Sequence, residues 1–195
     1  GLSVLKDANF DVVELPDGTP EEISEASRDI HGWVIRSGTK VTAKMIENAE
    51  NLNVIARAGV GLDNIDISVA TRCGVVVMNT PDVNTEEVAD TAMGMLLGTV
   101  RQIPQADRFL RAGRWPNEMF PLTGTLRGKR LGILGLGRIG KAVARRAEPF
   151  GLDILYHGRN KQSEVPYTYY DTAIKLAAAA DNLLVIVPGG EATKD

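Results

Sequence analysis

The stretch that decides the fold is GILGLGRIGK, residues 132–141. It lies between an apolar run that reads as a strand and a segment with the apolar spacing of a helix. Three glycines in the pattern GxGxxG are weak evidence alone, but here they join a strand directly to a helix. The first allows a sharp turn, the second leaves room for a pyrophosphate, and the third lets the helix pack closely on the strand. Backbone amides at the start of that helix would face the phosphates. The sequence therefore predicts a dinucleotide site at Gly135, Gly137, Arg138, Ile139 and Gly140.

The next strand, DILYH, ends in Gly158, Arg159, Asn160 and Lys161. A site for NAD usually carries an acid about 20 residues after the first glycine, where it accepts hydrogen bonds from the ribose hydroxyls. No acid stands at this strand end, and Arg159 could offer a charged fork to a 2′-phosphate. We therefore expect Gly158, Arg159 and Asn160 to contact the cofactor and NADP(H) to be preferred. NAD(H) stays possible if these are only solvated loop charges.

The composition is that of an ordinary globular protein. Of the 195 residues, 44% are hydrophobic and 24% are charged, and the net charge of −3 arises from dispersed residues. This balance argues against disorder and nucleic-acid binding, and no apolar run is long enough for a membrane span. The single cysteine, Cys73, excludes an internal disulfide, and we expect it to be buried at a loop-to-strand junction. No metal site is indicated. Because a single cysteine fits a reducing compartment and no signal peptide is indicated, a cytoplasmic protein is expected.

Strands and helices alternate along most of the chain, which indicates an α/β fold with parallel sheets. We expect a small flavodoxin-like domain over residues 1–80, with strands at DVVEL (11–15), GWVIRSG, LNVIARAG and VVVMN. Residues 81–195 are expected to form a Rossmann dinucleotide-binding domain. Only three or four of its usual strands, about six in number, can be counted, and the first unit starts in mid-element. The sequence therefore reads as truncated at both ends.

A long helix is predicted over residues 84–110, with Asn84 or Thr85 as its N-cap. Pro104 is expected to kink or restart it. The middle of the helix, ADTAMGMLLGTV, is small and apolar nearly all round, which predicts burial on several sides. The cover could come from its own domain or from a partner subunit.

Together these segments resemble the D-isomer-specific 2-hydroxyacid dehydrogenases. The resemblance covers RAGVGLDNIDISVATRCGVVVMNTP, NTEEVADTAMGMLL and LRGKRLGILGLGRIGKAVARRAEPFG, and so nearly the whole chain. It implies that the first domain binds substrate, that the second binds NAD(P), and that the active site lies between them. It also implies a homodimer formed through the helix of residues 84–110.

The resemblance further implies which residues bind the substrate. A glycine-rich loop would present its amides to the substrate carboxylate, and two arginines match phosphate contacts of the D-3-phosphoglycerate dehydrogenase branch. Each arginine could equally be a surface charge at a strand end. The loop after NLLVIVP would line the cofactor. The residues implied are Arg36, Arg57, Ala58, Gly59, Val60 and Gly61 for substrate, and Pro188 and Thr193 for cofactor.

The catalytic residues of this family are an arginine, a histidine and a carboxylate. The resemblance implies that all three follow Asp195, and neither His31 nor His157 matches the family's histidine, so no catalytic residue is assigned. The expected reaction is NADP(H)-dependent reduction of a small 2-keto acid, such as glyoxylate or hydroxypyruvate, to the D-2-hydroxy acid. RSGTKVTAKMIENAENLNVIARAGVGLDNID favours the alternative of a D-3-phosphoglycerate dehydrogenase, whereas YHGRNK is similar to NADPH-using reductases. A non-catalytic dinucleotide-sensing module is the third possibility.

Overall fold

The chain divides into two compact units, Gly1–Thr80 and Pro81–Asp195, in the computed structural model. The structure describes residues 2–15, 18–189 and 193. Each unit contains one sheet with parallel strands and helices in the crossover connections. The predicted α/β class is therefore confirmed. In the described part of the chain, no helix is long and apolar enough to cross a membrane.

The sheet of the first unit has three parallel strands in the order β1-β2-β3. Ile35, Arg57 and Asn79 lie side by side at its carboxyl edge. The core packs helices against one face, with Ile55 fully buried at its centre. The elements are α1 Leu2–Asp7, α2 Pro20–Ala26, β1 Gly32–Ile35, α3 Ala43–Glu47, β2 Val54–Arg57, α4 Ile67–Arg72 and β3 Val76–Asn79.

Two predictions for this unit are wrong. Residues 11–15 form no strand, and Val13 is 63% exposed, because the segment has no neighbouring strand with which to pair. Cys73 is exposed and not buried. It caps the C-terminus of α4, where Gly74 takes a φ of 74° and carries the chain back toward the sheet, so burial resumes only at Val75.

The second unit has a four-stranded parallel sheet in the order β6-β5-β4-β7. Leu131 and Ile133 of β4 point into a core shared with α5 and α7. The short edge strand β6 was not predicted, because two residues are too few to show a periodicity. The elements are α5 Thr85–Val100, α6 Ile103–Arg111, β4 Arg130–Leu134, α7 Arg138–Ala147, the 3₁₀ turn Glu148–Phe150, β5 Asp153–His157, β6 Thr168–Tyr169, α8 Ala173–Ala179 and β7 Asn182–Val185.

The predicted long helix is two helices with a break at Gln102. This residue adopts a left-handed conformation, with φ 51°, and Pro104 lies in the first turn of α6, as expected for a restarted helix. Asn84 is the N-cap residue of α5, although its side chain forms no capping hydrogen bond. Arg146 of α7 ties that helix to α5 by ion pairs of 2.6 Å to Glu86 and 2.6 Å to Asp90.

Burial of α5 is one-sided. Ala89 and Met93 are buried, and Leu97 packs against the core of the second unit. Thr91 and Met95 are exposed on the opposite face, and Gly94 is exposed between the two faces. Within the described chain, its own unit therefore covers only one face of this helix, so the expectation that this unit buries several sides is wrong, and cover by a partner subunit stays a prediction.

Candidate functional site

The glycine turn lies where the strand order of the second sheet reverses. The chain passes from β4 to β5 on one side and returns to β7 on the other side of β4. The register aligns Leu134 with His157 and with Val185, so three carboxyl strand ends meet at one edge. Dinucleotides bind at this kind of crevice in open parallel sheets.

Each glycine of the turn has a different steric environment. Gly135 has a φ of 101°, and a Cβ there would lie 2.5 Å from the carbonyl oxygen of Ile186. A Cβ on Gly140 would overlap the carbonyl oxygen of Gly135. A Cβ on Gly137 would meet no atom within 4 Å. Gly135 and Gly140 are therefore required by the protein backbone itself, whereas Gly137 keeps open the side from which a pyrophosphate would approach.

The start of α7 presents free donors at this opening. The first helical hydrogen bond runs from the Lys141 amide to the Gly137 carbonyl at 2.9 Å. The amides of Arg138, Ile139 and Gly140 precede it and have no acceptor among the described residues. Backbone donors at a helix N-terminus favour an anion.

The cations around the opening differ in their partners. Arg138 forms an ion pair with Asp82 at 3.0 Å, and Lys141 pairs with Glu164 at 3.0 Å. The pKa of the Glu164 carboxyl is lowered, first by its own backbone amide and then by Lys141, which keeps that pair charged. Arg159 and Lys161 are exposed and form no ion pair within the described ranges. These two cations are therefore the ones free to meet a ligand's phosphate.

The remaining cofactor residues lie at the same sheet edge. Gly158 and Asn160 belong to the loop that follows β5, next to Arg159. Pro188 follows β7, and the hydroxyl of Thr193 donates to its carbonyl oxygen at 2.6 Å. The loops after β4, β5 and β7 thus supply all the residues expected to contact the cofactor.

The sequence analysis did not identify two residues that fix the loop after β5. The Gln162 side chain donates to the Leu136 carbonyl in the glycine turn at 2.8 Å, and the Gln162 amide donates to the Tyr156 hydroxyl at 2.8 Å. Tyr156 is fully buried within β5. A tyrosine in a fully buried apolar strand needs a hydrogen-bond partner, which was the one signal available in the sequence.

In the first unit, the predicted arginines lie on neighbouring strands. Arg57 ends β2, and Arg36 directly follows β1, so both stand at the carboxyl edge of the sheet. Arg36 is exposed. The guanidinium of Arg57 lies over Gly59, where a Cβ would overlap it, and its Nε is buried without a hydrogen-bond partner in the described chain. Arg57 is therefore held against the loop of residues 58–61.

The amides of this loop are not equally available. The Ala58 amide donates to the Ile35 carbonyl at 2.8 Å, and the Gly59 amide closes a tight turn to the Arg57 carbonyl at 2.9 Å. The amides of Val60 and Gly61 have no acceptor in the described part of the chain. The Asn79 side chain, missed in the sequence, donates to the Val60 carbonyl at 2.8 Å and fixes the loop. Val60 and Gly61 are thus the donors best placed for an anion.

Neither histidine is hydrogen-bonded to a carboxylate of the described chain, as a histidine that transfers a proton in this way would be. The Nδ1 of His157 hydrogen-bonds with the Tyr170 carbonyl at 2.8 Å, and its ring stacks on Tyr169. His31 is exposed just before β1. Among the described residues, no group of three or more His, Cys, Asp or Glu side chains could hold a metal ion.

Comparison with known proteins agrees with the resemblance found in the sequence. The model of the family described as "D-isomer specific 2-hydroxyacid dehydrogenase, catalytic domain" matches residues 1–193. The chain is 48% identical to D-3-phosphoglycerate dehydrogenase of Rattus norvegicus over 149 residues, which are 76% of this chain and 28% of that protein. It is 43% identical to glyoxylate/hydroxypyruvate reductase A of Arabidopsis thaliana over 152 residues, 78% of this chain and 49% of that protein.

A solved structure gives the same result for the fold. The NADPH-dependent glyoxylate/hydroxypyruvate reductase of Sinorhizobium meliloti, in complex with NADP and malonate, superposes with a TM-score of 0.87 at 43% identity. The match covers 99% of this chain and 61% of that one. The chain thus spans half or less of these curated relatives and under two thirds of this structure.

Proposed function

We propose, since the chain belongs to the D-isomer specific 2-hydroxyacid dehydrogenase family, that the full-length protein is an NADP(H)-dependent oxidoreductase. It would reduce a small 2-keto acid, such as glyoxylate or hydroxypyruvate, to the D-2-hydroxy acid. The nicotinamide supplies the hydride when the cofactor is bound. This chain would contribute the glycine turn for the pyrophosphate, and the Val60 and Gly61 amides for the substrate carboxylate.

The observation that carries the cofactor preference is the loop after β5. Arg159 and Lys161 form no ion pair in the part of the chain described, whereas Arg138 and Lys141 are each paired with a carboxylate. No carboxylate stands among residues 158–163, directly after β5, to repel a 2′-phosphate or to accept from both ribose hydroxyls, and Glu164 farther along the loop is paired with Lys141. A guanidinium fork suits a phosphate, and NADH has no phosphate at that position to use it.

A paired titration of the full-length protein with NADPH and NADH tests this preference. We expect NADPH to bind at least about tenfold more tightly, a difference of roughly 1.4 kcal/mol. Arg159→Asp should abolish the difference, because it replaces the phosphate's partner with a like charge. Arg28→Asp, at an exposed loop arginine of the first unit, is the control and should leave both affinities unchanged. Equal affinity of the wild-type protein for both nucleotides would refute the proposed preference.

A second substrate class is favoured by Arg57 and by the relatives named as D-3-phosphoglycerate dehydrogenase. In a D-3-phosphoglycerate dehydrogenase, Arg36 and Arg57 would bind the substrate phosphate. Turnover of D-3-phosphoglycerate that inorganic phosphate inhibits, and that Arg57→Gln weakens mainly through KM, would support this class. Turnover of glyoxylate and hydroxypyruvate without phosphate inhibition supports the reductase.

A non-catalytic dinucleotide sensor is the third candidate. It would bind NADP(H) with the same glycine turn and loop but would oxidise no NADPH with any 2-keto acid. Catalytic turnover by the full-length protein therefore separates it from both enzymes.

We further propose a homodimer in the cytoplasm. The exposed face of α5 supports the dimer, because Met95 is 69% exposed and Gly94 lines an open cleft together with Phe150, which is 43% exposed. Small residues in that face would allow a second helix to approach closely. The cytoplasmic location rests on the single free cysteine and on the expected cofactor.

A further inference from the structure

Gln162 connects two segments of the cofactor site that are far apart in sequence. Its side-chain Nε2 donates to the carbonyl oxygen of Leu136 at 2.8 Å. Its backbone amide donates to the hydroxyl of Tyr156 at 2.8 Å, and the same hydroxyl donates to its carbonyl at 3.3 Å. Leu136 lies inside the glycine turn, between Gly135 and Gly137. One residue thus ties the end of the β5 loop to the turn and to the sheet.

The other end of the same loop is also fixed. The Tyr169 hydroxyl donates to the Gly158 carbonyl at 3.4 Å, and the Tyr169 ring packs against Tyr156 with a centroid distance of 5.3 Å. Tyr156 itself is fully buried. Arg159 therefore belongs to a short loop that is held at both ends, although its own side chain is exposed.

The contact to Leu136 requires a carboxamide. The Nε2 atom is the donor, while the Oε1 atom is buried without a partner in the described part of the chain. Glutamate would set a carboxylate oxygen against the Leu136 carbonyl, and leucine would leave that carbonyl without its donor. Neither residue can reproduce the bond.

We propose that Gln162 is a positioning residue that holds Arg159 for the 2′-phosphate and thereby sets the preference for NADPH over NADH. This inference rests on the proposed function. Fixing the loop before binding reduces the conformational entropy that Arg159 loses when it meets the phosphate. NADH has no 2′-phosphate, so its binding gains little from a loop that is already fixed.

The test is a set of titrations of the full-length protein with NADPH and with NADH. Gln162→Leu should lower the ratio of the two affinities about fivefold, roughly the effect of one lost hydrogen bond, with most of the change in NADPH. Tyr156→Phe keeps the buried ring and removes only the hydroxyl, so it should lower the ratio in the same direction. Gln105→Leu, at an exposed position of α6, is the matched control and should change neither affinity. Thermal melting confirms that each variant is folded.

Repeating Gln162→Leu in an Arg159→Ala background separates positioning from general stability. If Gln162 acts through Arg159, the ratio should not fall further in the double variant. Equal weakening of both nucleotides, or an unchanged ratio in both single variants, would overturn the inference while leaving the proposed function intact. Failure of the wild-type protein to prefer NADPH would overturn the proposed cofactor preference, and this inference with it.

Discussion

At the scale of single residues, Gly137 and Gly140 occupy the same motif for opposite reasons. Gly140 is needed by the fold, because a Cβ would overlap the Gly135 carbonyl across the helix and the strand. Gly137 has open space on the side where a Cβ would stand, and its backbone, with φ −83° and ψ −158°, suits any residue. The sequence motif predicted both glycines, but only the structure separates their roles.

Because their roles differ, substitution of each glycine by alanine should have a different effect. Gly140→Ala should lower the free energy of unfolding by about 1–3 kcal/mol through overpacking. Gly137→Ala should lower the free energy of unfolding by no more than about 1 kcal/mol, because a Cβ there meets no atom within 4 Å and alanine is only a poorer N-cap than glycine. It should nevertheless weaken binding of NADPH and NADH alike by about tenfold or more, because the methyl group occupies the space for the pyrophosphate. Chemical denaturation and fluorescence titration measure the two effects.

Gly38→Ala is the control for both variants, because a Cβ there also meets no atom within 4 Å and the residue lies in the other unit. It should leave stability and binding unchanged. Normal nucleotide affinity in a folded Gly137→Ala protein would contradict the assignment of this turn to the pyrophosphate.

Other residue assignments could not be made from spacing. The sequence does not distinguish the four amides of residues 58–61, but two of them donate to carbonyls of the chain itself. Gln162 carries no motif, and its importance arises from a contact across 26 positions of sequence. Such contacts depend on how loops from different strands meet, which no local pattern records.

At the scale of elements, α5 shows what hydrophobic composition predicts and what it does not. The position of the helix was predicted well, and so was its interruption near Pro104. Its apolar circumference suggested burial all round, but only one face packs on its own unit. Leu96 and Leu97 face that core and would be poor probes of an interface, whereas Met95 is 69% exposed.

Met95→Asp should therefore convert the proposed dimer to a folded monomer, because a charge on an apolar interface is costly to desolvate. Leu97→Asp should instead lower the free energy of unfolding by about 2 kcal/mol or more, since it places a charge against the core. Ile174→Asp on α8, at a position 82% exposed, is the control and should change neither property. Sedimentation and thermal melting measure both. A Met95→Asp protein that sediments as a dimer would refute this placement of the interface.

The other elements were predicted correctly where their sequence pattern was long enough to recognise. Strands β4 and β5 are continuous apolar runs and were found in sequence, as central parallel strands should be. β6 is two residues long, and residues 11–15 have strand-like composition without a strand to pair with. Pairing is a property of two segments, so composition of one segment cannot settle it.

At the scale of the whole molecule, each unit presents arginine side chains and backbone amides without acceptors in the described chain at the carboxyl edge of a parallel sheet, and such groups suit an anion. In the first unit these are Arg57 and the amides of Val60 and Gly61, and in the second they are the glycine turn and Arg159. A 2-keto acid carries one carboxylate and NADP carries several phosphates, so both sets of donors have a use in the proposed reaction. The fold class and family were within reach of the sequence, because the glycine motif and the alternation of elements are local features.

The most direct measurement is oxidation of NADPH by the full-length protein, followed by nicotinamide absorbance, with hydroxypyruvate and glyoxylate as substrates. NADH under the same conditions is the comparison. The account predicts that NADPH is consumed with at least about tenfold higher kcat/KM than NADH, and that the glycerate formed from hydroxypyruvate is the D-enantiomer. A protein that binds NADPH but oxidises none with either acid, or that instead oxidises D-3-phosphoglycerate with NAD, would contradict it.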